Sequence, residues 1–234
     1  MNKKVLSWGF FIIITFIWLP VVFWMALNTA PMKMLGDTAK TIFFHVPTAW
    51  ITVFAFLISA FYSAKILYGI SKKNANLTSL DVWAASAAEI GFVFAILATV
   101  TGSIWAKRIW LSYWNWDPRE TSIFILLIIY AAYFALRSSI HAEHDKIRLS
   151  AVYSLFAFFT VPFFIFIIPR IYESLHPDTL INAEGEIHLD LQMRLIFFSS
   201  LFGFTVFFWY LLKLKVKLQL LMNQKEELLE DLDE

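Results

Sequence analysis

Residues 149–169 read LSAVYSLFAFFTVPFFIFIIP. Long apolar stretches of this kind decide the fold of the chain. A helix of about 20 apolar residues spans the ~30 Å hydrocarbon core of a bilayer. Before and after this stretch in the sequence, similar apolar runs lie at residues 5–29, 46–69, 82–102, 119–136 and 191–212. Apolar residues make up 59% of the 234 residues, and charged residues only 16%. The sequence therefore predicts an all-α polytopic membrane protein, a bundle of six transmembrane helices.

The positive charges predict how this bundle is oriented. With a cytoplasmic N-terminus, twelve of the 19 Lys and Arg residues fall in inner segments and seven in outer segments, as the positive-inside rule favours. We therefore expect both termini in the cytoplasm. The uncharged run from Val5 to Met32 is about twice as long as the apolar core of a secretory signal, so we interpret it as a retained span. We expect one domain over residues 1–234. Residues 213–234 form its cytoplasmic tail, which we interpret as an extension of the sixth helix or, alternatively, as a segment that docks on a partner.

Composition also excludes several classes of protein. The net charge is +1 and no block of Lys and Arg stands out, which argues against a nucleic-acid partner. The chain has no cysteine, so it has no disulfide, no thiolate metal ligand and no covalent haem attachment of its own. It has no Gly-x-x-x-x-Gly-Lys-Ser/Thr phosphate loop, so any ATP use belongs to a partner.

The densest aromatic stretch lies between the third and fourth predicted spans, over residues 101–122, and reads TGSIWAKRIWLSYWNWDPRETS. Its large rings are Trp105, Trp110, Tyr113, Trp114 and Trp116. An interfacial belt explains one or two Trp residues at headgroup level. A cluster within a single outer loop favours a shelf for a large planar apolar ligand. If the stretch is helical, Trp110 and Trp114 share a face.

Charged residues accompany these rings. Lys107, Arg108 and Arg119 supply positive charge for the acidic groups of a ligand or for anionic headgroups. The Asp117-Pro118-Arg119-Glu120 stretch predicts a helix start, because Asp at the N-cap, Pro at N1 and Glu at N3 cap a helix reciprocally. This capping does not exclude a role for Asp117 in shaping the site.

The stretch from Thr101 to Ser122 resembles the tryptophan-rich WWD signature of the haem-handling proteins of cytochrome c biogenesis. Phe44–Trp50, which reads FHVPTAW, is similar to the family's His-Val-Pro-Ser-Ala-Trp segment. The order of segments is closest to the short, six-span CcmC-type haem-delivery branch, because the longer CcsA-like relatives carry more spans and histidines. The sequence departs from the usual pattern at Ala106, Ser112, Tyr113 and Glu120.

The resemblance implies a function and a site. It implies that haem is bound non-covalently at the outer face, with its iron between His45 and His176, and is then delivered to a membrane-anchored periplasmic haem chaperone. It also implies a location in a bacterial inner membrane, together with the membrane and ATPase subunits of an ABC transporter and a small single-span subunit. The haem would contact Trp105, Lys107, Arg108, Trp110, Tyr113, Trp114, Trp116, Asp117 and Arg119. Such a protein binds and transfers haem and is not an enzyme.

The positions of the histidines agree with this implication. His45 precedes Pro47 and is expected at the outer mouth of the second span, where the helix N-terminus disfavours an imidazolium. His176 lies in the outer loop before the sixth span, and His188 in the same loop is the reserve ligand. His141 and His144 are predicted on the inner side, where we expect them to be solvated.

Two other functions stay open at the level of sequence. Glu89 lies within the third span, where a carboxylate is costly unless it is paired, protonated or functional. It is consistent with a secondary transporter of a small substrate with Glu89 as its proton-coupling group, with a residue that lines a haem entry route, or with a structural hydrogen bond to Ser86 or to a neighbouring helix. A quinol-oxidising haem protein is less consistent, because two outer histidines leave no second haem for electron transfer across the membrane.

Overall fold

The computed structural model describes residues 9, 11–31, 36–72, 76–176 and 189–233, most of which are helical. The helical segments, numbered in chain order, are α1 (Phe11–Leu27), α2 (Ile42–Ser71), α3 (Leu77–Trp110), α4 (Pro118–Ser139), α5 (Glu143–Ile171) and α6 (Leu191–Asp233). Within the described residues, the five segments from α2 to α6 are long and apolar enough to cross a bilayer. The predicted all-α, multi-pass class is confirmed.

The first predicted span differs from the other five. Its described part, α1, is shorter than 18 residues and includes a π-helical turn at Ile14–Trp18. Residues 5–8 and 10 lie outside the described residues. A count of five spans is therefore supported by length and composition, and the sixth stays a prediction. The α1 segment packs on α6, where a Cβ added to Gly203 would lie 2.7 Å from a methyl carbon of Leu19.

Helix α2 is the centre of the bundle, because three clusters of buried side chains on different sides all include it. Ile51 packs with residues of α1, α3 and α6, Phe56 packs with residues of α4 and α5, and Ile66 packs with residues of α3 and α5. The contact between α2 and α3 is the most extensive in the bundle. Small residues permit this close approach, since a Cβ at Gly91 would lie 2.8 Å from the Phe56 ring.

Helix α2 begins earlier than the sequence suggested. A 3-10 turn at Asp37–Thr41 leads directly into the α-helix at Ile42, and Pro47 lies inside the helix. Proline has no N–H for the carbonyl four residues earlier, which here belongs to Phe43. The hydroxyl of Ser200 on α6 donates a hydrogen bond to that carbonyl instead. Because a neighbouring helix supplies this partner, the helix continues through Pro47.

Two ion pairs join the helices toward the end of the bundle that the sequence places inside. Asp81 of α3 and Arg137 of α4 form a bidentate pair, with the Asp81 side chain 4% exposed. Glu89 of α3 pairs with Lys215 of α6 at 2.5 Å. The structural alternative for Glu89 was therefore right in kind, but the partner is a lysine rather than Ser86. Helix α6 runs without interruption into residues 213–233, as the sequence predicted for a helical extension.

Candidate functional site

The candidate site lies at the end of the bundle where α2 and α4 begin and α3 and α5 end. His45 is in the first turn of α2, and Thr101 and Gly102 are in the last turns of α3. Asp117 immediately precedes α4, and His176 follows α5. His45 thus lies at the mouth of the second helix, which starts at Ile42, three residues before it. The chain segments that carry these residues meet at this end of the bundle.

The His45 ring rests on the end of α3. Its Nδ1 lies 3.1 Å from the Thr101 hydroxyl oxygen. Gly102 provides the space for the ring, because an added Cβ would lie 3.0 Å from the imidazole Cε1. The end of α3 therefore fixes both the position and the orientation of His45.

The contacts of Thr101 determine which ring nitrogen of His45 carries the proton. The single hydroxyl hydrogen of Thr101 is directed at the carbonyls of Leu97, at 2.8 Å, and Ala98, at 3.1 Å. The hydroxyl oxygen is then an acceptor for His45, and Nδ1 must be the N–H donor. This tautomer leaves Nε2 of His45 with its lone pair available for a metal.

Asp117 organises the start of α4 as the sequence predicted. Its carboxylate accepts a hydrogen bond from the Arg119 amide at 2.9 Å, and Pro118 is the first helical residue. The Glu120 carboxylate accepts hydrogen bonds from the amides of Asn115 and Asp117 at 2.7 and 3.3 Å. The capping box is thus present, and it fixes the connection between α3 and α4.

The same Asp117 carboxylate also holds His176. It lies 2.9 Å from Nδ1 of His176 and accepts further hydrogen bonds from the Leu175 amide at 2.7 Å and from the Ser174 hydroxyl. The Asp117 side chain has no exposed surface, whereas that of His176 is 17% exposed. Because Nδ1 of His176 faces a carboxylate, it carries the proton and Nε2 is the free nitrogen.

These contacts shift the ionisation of both groups. Burial alone would raise the pKa of Asp117, but the hydrogen bonds from the amides of Arg119 and Leu175 and from Ser174 stabilise the carboxylate, so the pKa is lowered overall. Burial lowers the pKa of His176 despite the opposing effect of Asp117, and the Arg119 cation acts in the same direction as burial. A neutral imidazole beside an ionised carboxylate is therefore the favoured state.

The aromatic residues form two groups rather than one continuous shelf. Trp105 and Trp110 contact each other at 5.1 Å between centroids, and their rings lie 5.9 and 4.9 Å from the ring of His176. Trp114 and Trp116 contact each other and Phe124 instead. Tyr113, Trp114 and Trp116 lie in the connection after α3, so the helical alternative that paired Trp110 with Trp114 is wrong. The reason is that α3 ends at Trp110 and Leu111 adopts a left-handed conformation, with φ of 61°.

The predicted cations occupy different environments. Lys107 donates a hydrogen bond to the carbonyl of Leu111 at 2.8 Å and lies over the Tyr113 ring. It therefore stabilises the C-terminal end of α3, as does Arg108 in the same turn. Arg119 is close enough to influence the electrostatics of both His45 and His176. Of the three, Arg119 is the best placed to bind an acidic group of a ligand between the imidazoles.

The two histidines predicted on the inner side are not brought to this site. His141 and His144 are exposed in and near the connection between α4 and α5, and His144 contacts Asp145. His188, the reserve ligand, lies outside the described residues. Within the described part of the chain, no three or more His, Asp or Glu side chains form a cluster that could hold a metal ion. Among the described residues, His45 and His176 are the histidines at this end of the bundle.

Comparison with known proteins decides the family. The CcmC family profile, described as Heme exporter protein C, matches residues 1–230. The chain belongs to the CcmC family. The Heme exporter protein C of Bradyrhizobium diazoefficiens is 31% identical over 173 residues, which cover 74% of this chain and 63% of that protein. That of Rhodobacter capsulatus is 28% identical over 206 residues, 86% of this chain and 81% of that protein.

More distant relatives share a shorter part of the chain. The cytochrome c biogenesis protein CcsA of Panax ginseng is 38% identical over 84 residues, 36% of this chain and 25% of that protein. The predicted CcmC-type family is thus confirmed. Within the CcmC family pattern, sequence reasoning quoted Thr101 and Gly102 without a role and did not name Ser174. Only their contacts with His45 and Asp117 give these residues a function in the site.

Proposed function

We propose that this protein binds haem at the outer membrane face, with Nε2 of His45 and Nε2 of His176 as the axial ligands of the iron. One observation carries the proposal. In both histidines Nδ1 is occupied by a hydrogen-bond partner. The other ring nitrogen, Nε2, is therefore available to bind a metal. Neutral imidazoles held in a fixed tautomer are suitable iron ligands.

The surroundings of the histidines support a planar ligand with acidic groups. Trp105 and Trp110 pack against His176 and offer apolar ring surface for a porphyrin. Arg119 lies near both imidazoles, and its guanidinium is suited to binding a propionate. Lys107, Arg108, Tyr113, Trp114 and Trp116 stay candidate haem contacts at the edge of the site.

The names of the relatives support a direction of haem handling. The relatives are named for haem export and cytochrome c biogenesis. We infer that this protein holds haem and delivers it to a membrane-anchored periplasmic haem chaperone in a bacterial inner membrane. The inferred partners, carried over from the family resemblance, are the membrane and ATPase subunits of an ABC transporter and a small single-span subunit.

A visible spectrum of the purified protein tests this proposal. Wild-type protein, prepared in mild detergent from cells that make haem, should show the spectrum of low-spin haem with two imidazole ligands in both oxidation states. The double variant His45→Ala, His176→Ala should lose it. The matched control His141→Ala, His144→Ala removes two exposed histidines and should keep the wild-type spectrum. A folded wild type that takes up no added haem would contradict the proposal.

A further inference from the structure

We propose that the two histidines are unequal ligands, with His176 as the retained ligand and His45 as the ligand that leaves the iron when haem is transferred. This inference rests on the proposed haem site. It comes from the hydrogen-bond partners of the two Nδ1 atoms, which are an anionic carboxylate for His176 and a neutral hydroxyl for His45.

Asp117, the hydrogen-bond partner of His176, is buried and held by several hydrogen bonds. Asp117 has no exposed side-chain surface, and its carboxylate is held by the amides of Arg119 and Leu175 and by the Ser174 hydroxyl. A carboxylate that accepts a hydrogen bond from Nδ1–H increases the electron density on the imidazole and makes Nε2 a stronger donor to a metal. Trp105 and Trp110 further limit the movement of the ring.

Thr101, the hydrogen-bond partner of His45, polarises its imidazole much less than Asp117 polarises that of His176. Thr101 is uncharged, and its hydroxyl hydrogen is committed to the carbonyls of Leu97 and Ala98. The charged groups that act on His45 are His176 and Arg119, which are cationic when they are charged. Neither adds electron density to the ring, and the Ala98 carbonyl, which also acts on His45, is neutral and polarises an imidazole less than a carboxylate does. Nε2 of His45 is therefore the weaker donor of the two.

The consequence is an order of events during transfer. The iron bond to His45 breaks as an incoming ligand forms its own bond, while His176 still holds the haem on the protein. Neither the iron nor the protein changes oxidation state in this exchange. A site with two equally strong ligands would have no preferred side for release.

Single-histidine variants test the inequality directly. His45→Gly leaves His176 as the protein ligand of ferrous haem, and His176→Gly leaves His45. Resonance Raman spectroscopy measures the iron–histidine stretch, which rises with the electron density that the imidazole donates. We expect a higher frequency in His45→Gly than in His176→Gly. Adding Asp117→Asn to His45→Gly should lower the frequency, because Asn keeps the helix cap but removes the charge.

Variants of Thr101 test the hydrogen bond to His45 in the same way. Adding Thr101→Val to His176→Gly removes the Nδ1 partner and should shift the frequency less than Asp117→Asn shifts it on the other side. Thr101→Ser keeps the hydroxyl and should restore the value of the parent variant. Equal frequencies in the two single-histidine variants, or the reverse order, would overturn the inference even if haem is bound.

A second measurement keeps both histidines, so it also applies if the single-histidine variants bind haem poorly. In the otherwise wild-type protein, loss of haem to apomyoglobin should be about 10- to 100-fold faster with Asp117→Asn, the usual effect of losing such a partner, and should change less with Thr101→Val. Asp117→Asn should also raise the reduction potential of the haem more than Thr101→Val does. Equal effects of the two variants would overturn the inference. Absence of haem from the wild type would instead contradict the proposed function.

Discussion

At the residue scale, the two imidazoles are held in the same way, each by its Nδ1 atom, although they come from different parts of the chain. His45 is fixed by Thr101 and Gly102 on α3, and His176 by Asp117 before α4. Each histidine therefore depends on a residue that does not itself bind iron. Changes at those residues should alter haem binding while the ligands themselves remain.

Gly102→Ala should displace His45 and weaken haem binding. The new Cβ would lie 3.0 Å from the imidazole Cε1, which is too close without movement of the ring. We expect about a tenfold or greater loss of haem affinity in titrations of the purified protein, the size typical of misplaced metal ligands. Gly9→Ala is the matched control, since nothing lies within 4 Å of its added Cβ. Equal affinity in both variants would contradict this role of Gly102.

At the element scale, the site depends on how the helices end. Helix α3 ends at Trp110, with Lys107 bound to the Leu111 carbonyl, and α4 begins at a capping box. These two ends set the short connection that carries Tyr113, Trp114 and Trp116. The start of α2 depends on Ser200 of α6, which binds the carbonyl left unpaired by Pro47.

Ser200→Ala should destabilise the first turn of α2 and so loosen His45. The substitution leaves the buried Phe43 carbonyl without its hydrogen bond, at a cost of about 1–3 kcal/mol. We expect a lower thermal midpoint of unfolding in detergent, together with faster haem loss. Ser199→Ala is a neighbouring control on the same helix. If both variants unfold at the same temperature, Ser200 does not support the helix in this way.

The ion pairs at the other end of α3 should contribute unequally. Arg137→Leu leaves the buried Asp81 carboxylate unpaired and should cost about 3–5 kcal/mol of stability. Lys215→Leu leaves Glu89 without its partner and should cost less, because the Glu89 side chain, unlike that of Asp81, is not enclosed by protein and is free to reorient toward the inner face. Thermal unfolding of the two variants compares them. The double variant Asp81→Leu, Arg137→Leu should recover most of the loss, because it removes both charges.

At the scale of the whole molecule, the proposed function requires the site to face outward. The orientation rests on the distribution of Lys and Arg. The chain has no cysteine, so single cysteines can be introduced into the natural background. Two exposed positions at opposite ends of the bundle are suitable, Glu173 after α5 and His141 after α4.

We expect Glu173→Cys to react with a membrane-impermeant maleimide in spheroplasts, where the outer face is accessible. His141→Cys should react only after the inner membrane is permeabilised. Labelling after denaturation gives the total amount of each variant and serves as the control. The reverse pattern would place the histidine site in the cytoplasm and would contradict delivery to a periplasmic acceptor.

Much of the molecule is predictable from the sequence because its signals are local. The apolar runs that became α2 to α6 follow from the length of helix that a bilayer requires, and the capping box at Asp117 needs only adjacent residues. The Trp-rich stretch and its resemblance were sufficient to predict the CcmC family. The boundary of α2 was not predictable, because the partner that lets the helix pass through Pro47 is Ser200, 153 residues later in the chain.

The sequence by itself thus determined the helical membrane class, the family and the identities of the candidate ligands, because each depends on residue type and local order. Only the tertiary structure decided how the ligands are held. The contacts from Thr101 to His45 and from Asp117 to His176 join residues 56 and 59 positions apart. Such contacts form when four helix ends meet, and hydropathy along one chain contains no information about which side chains face each other there.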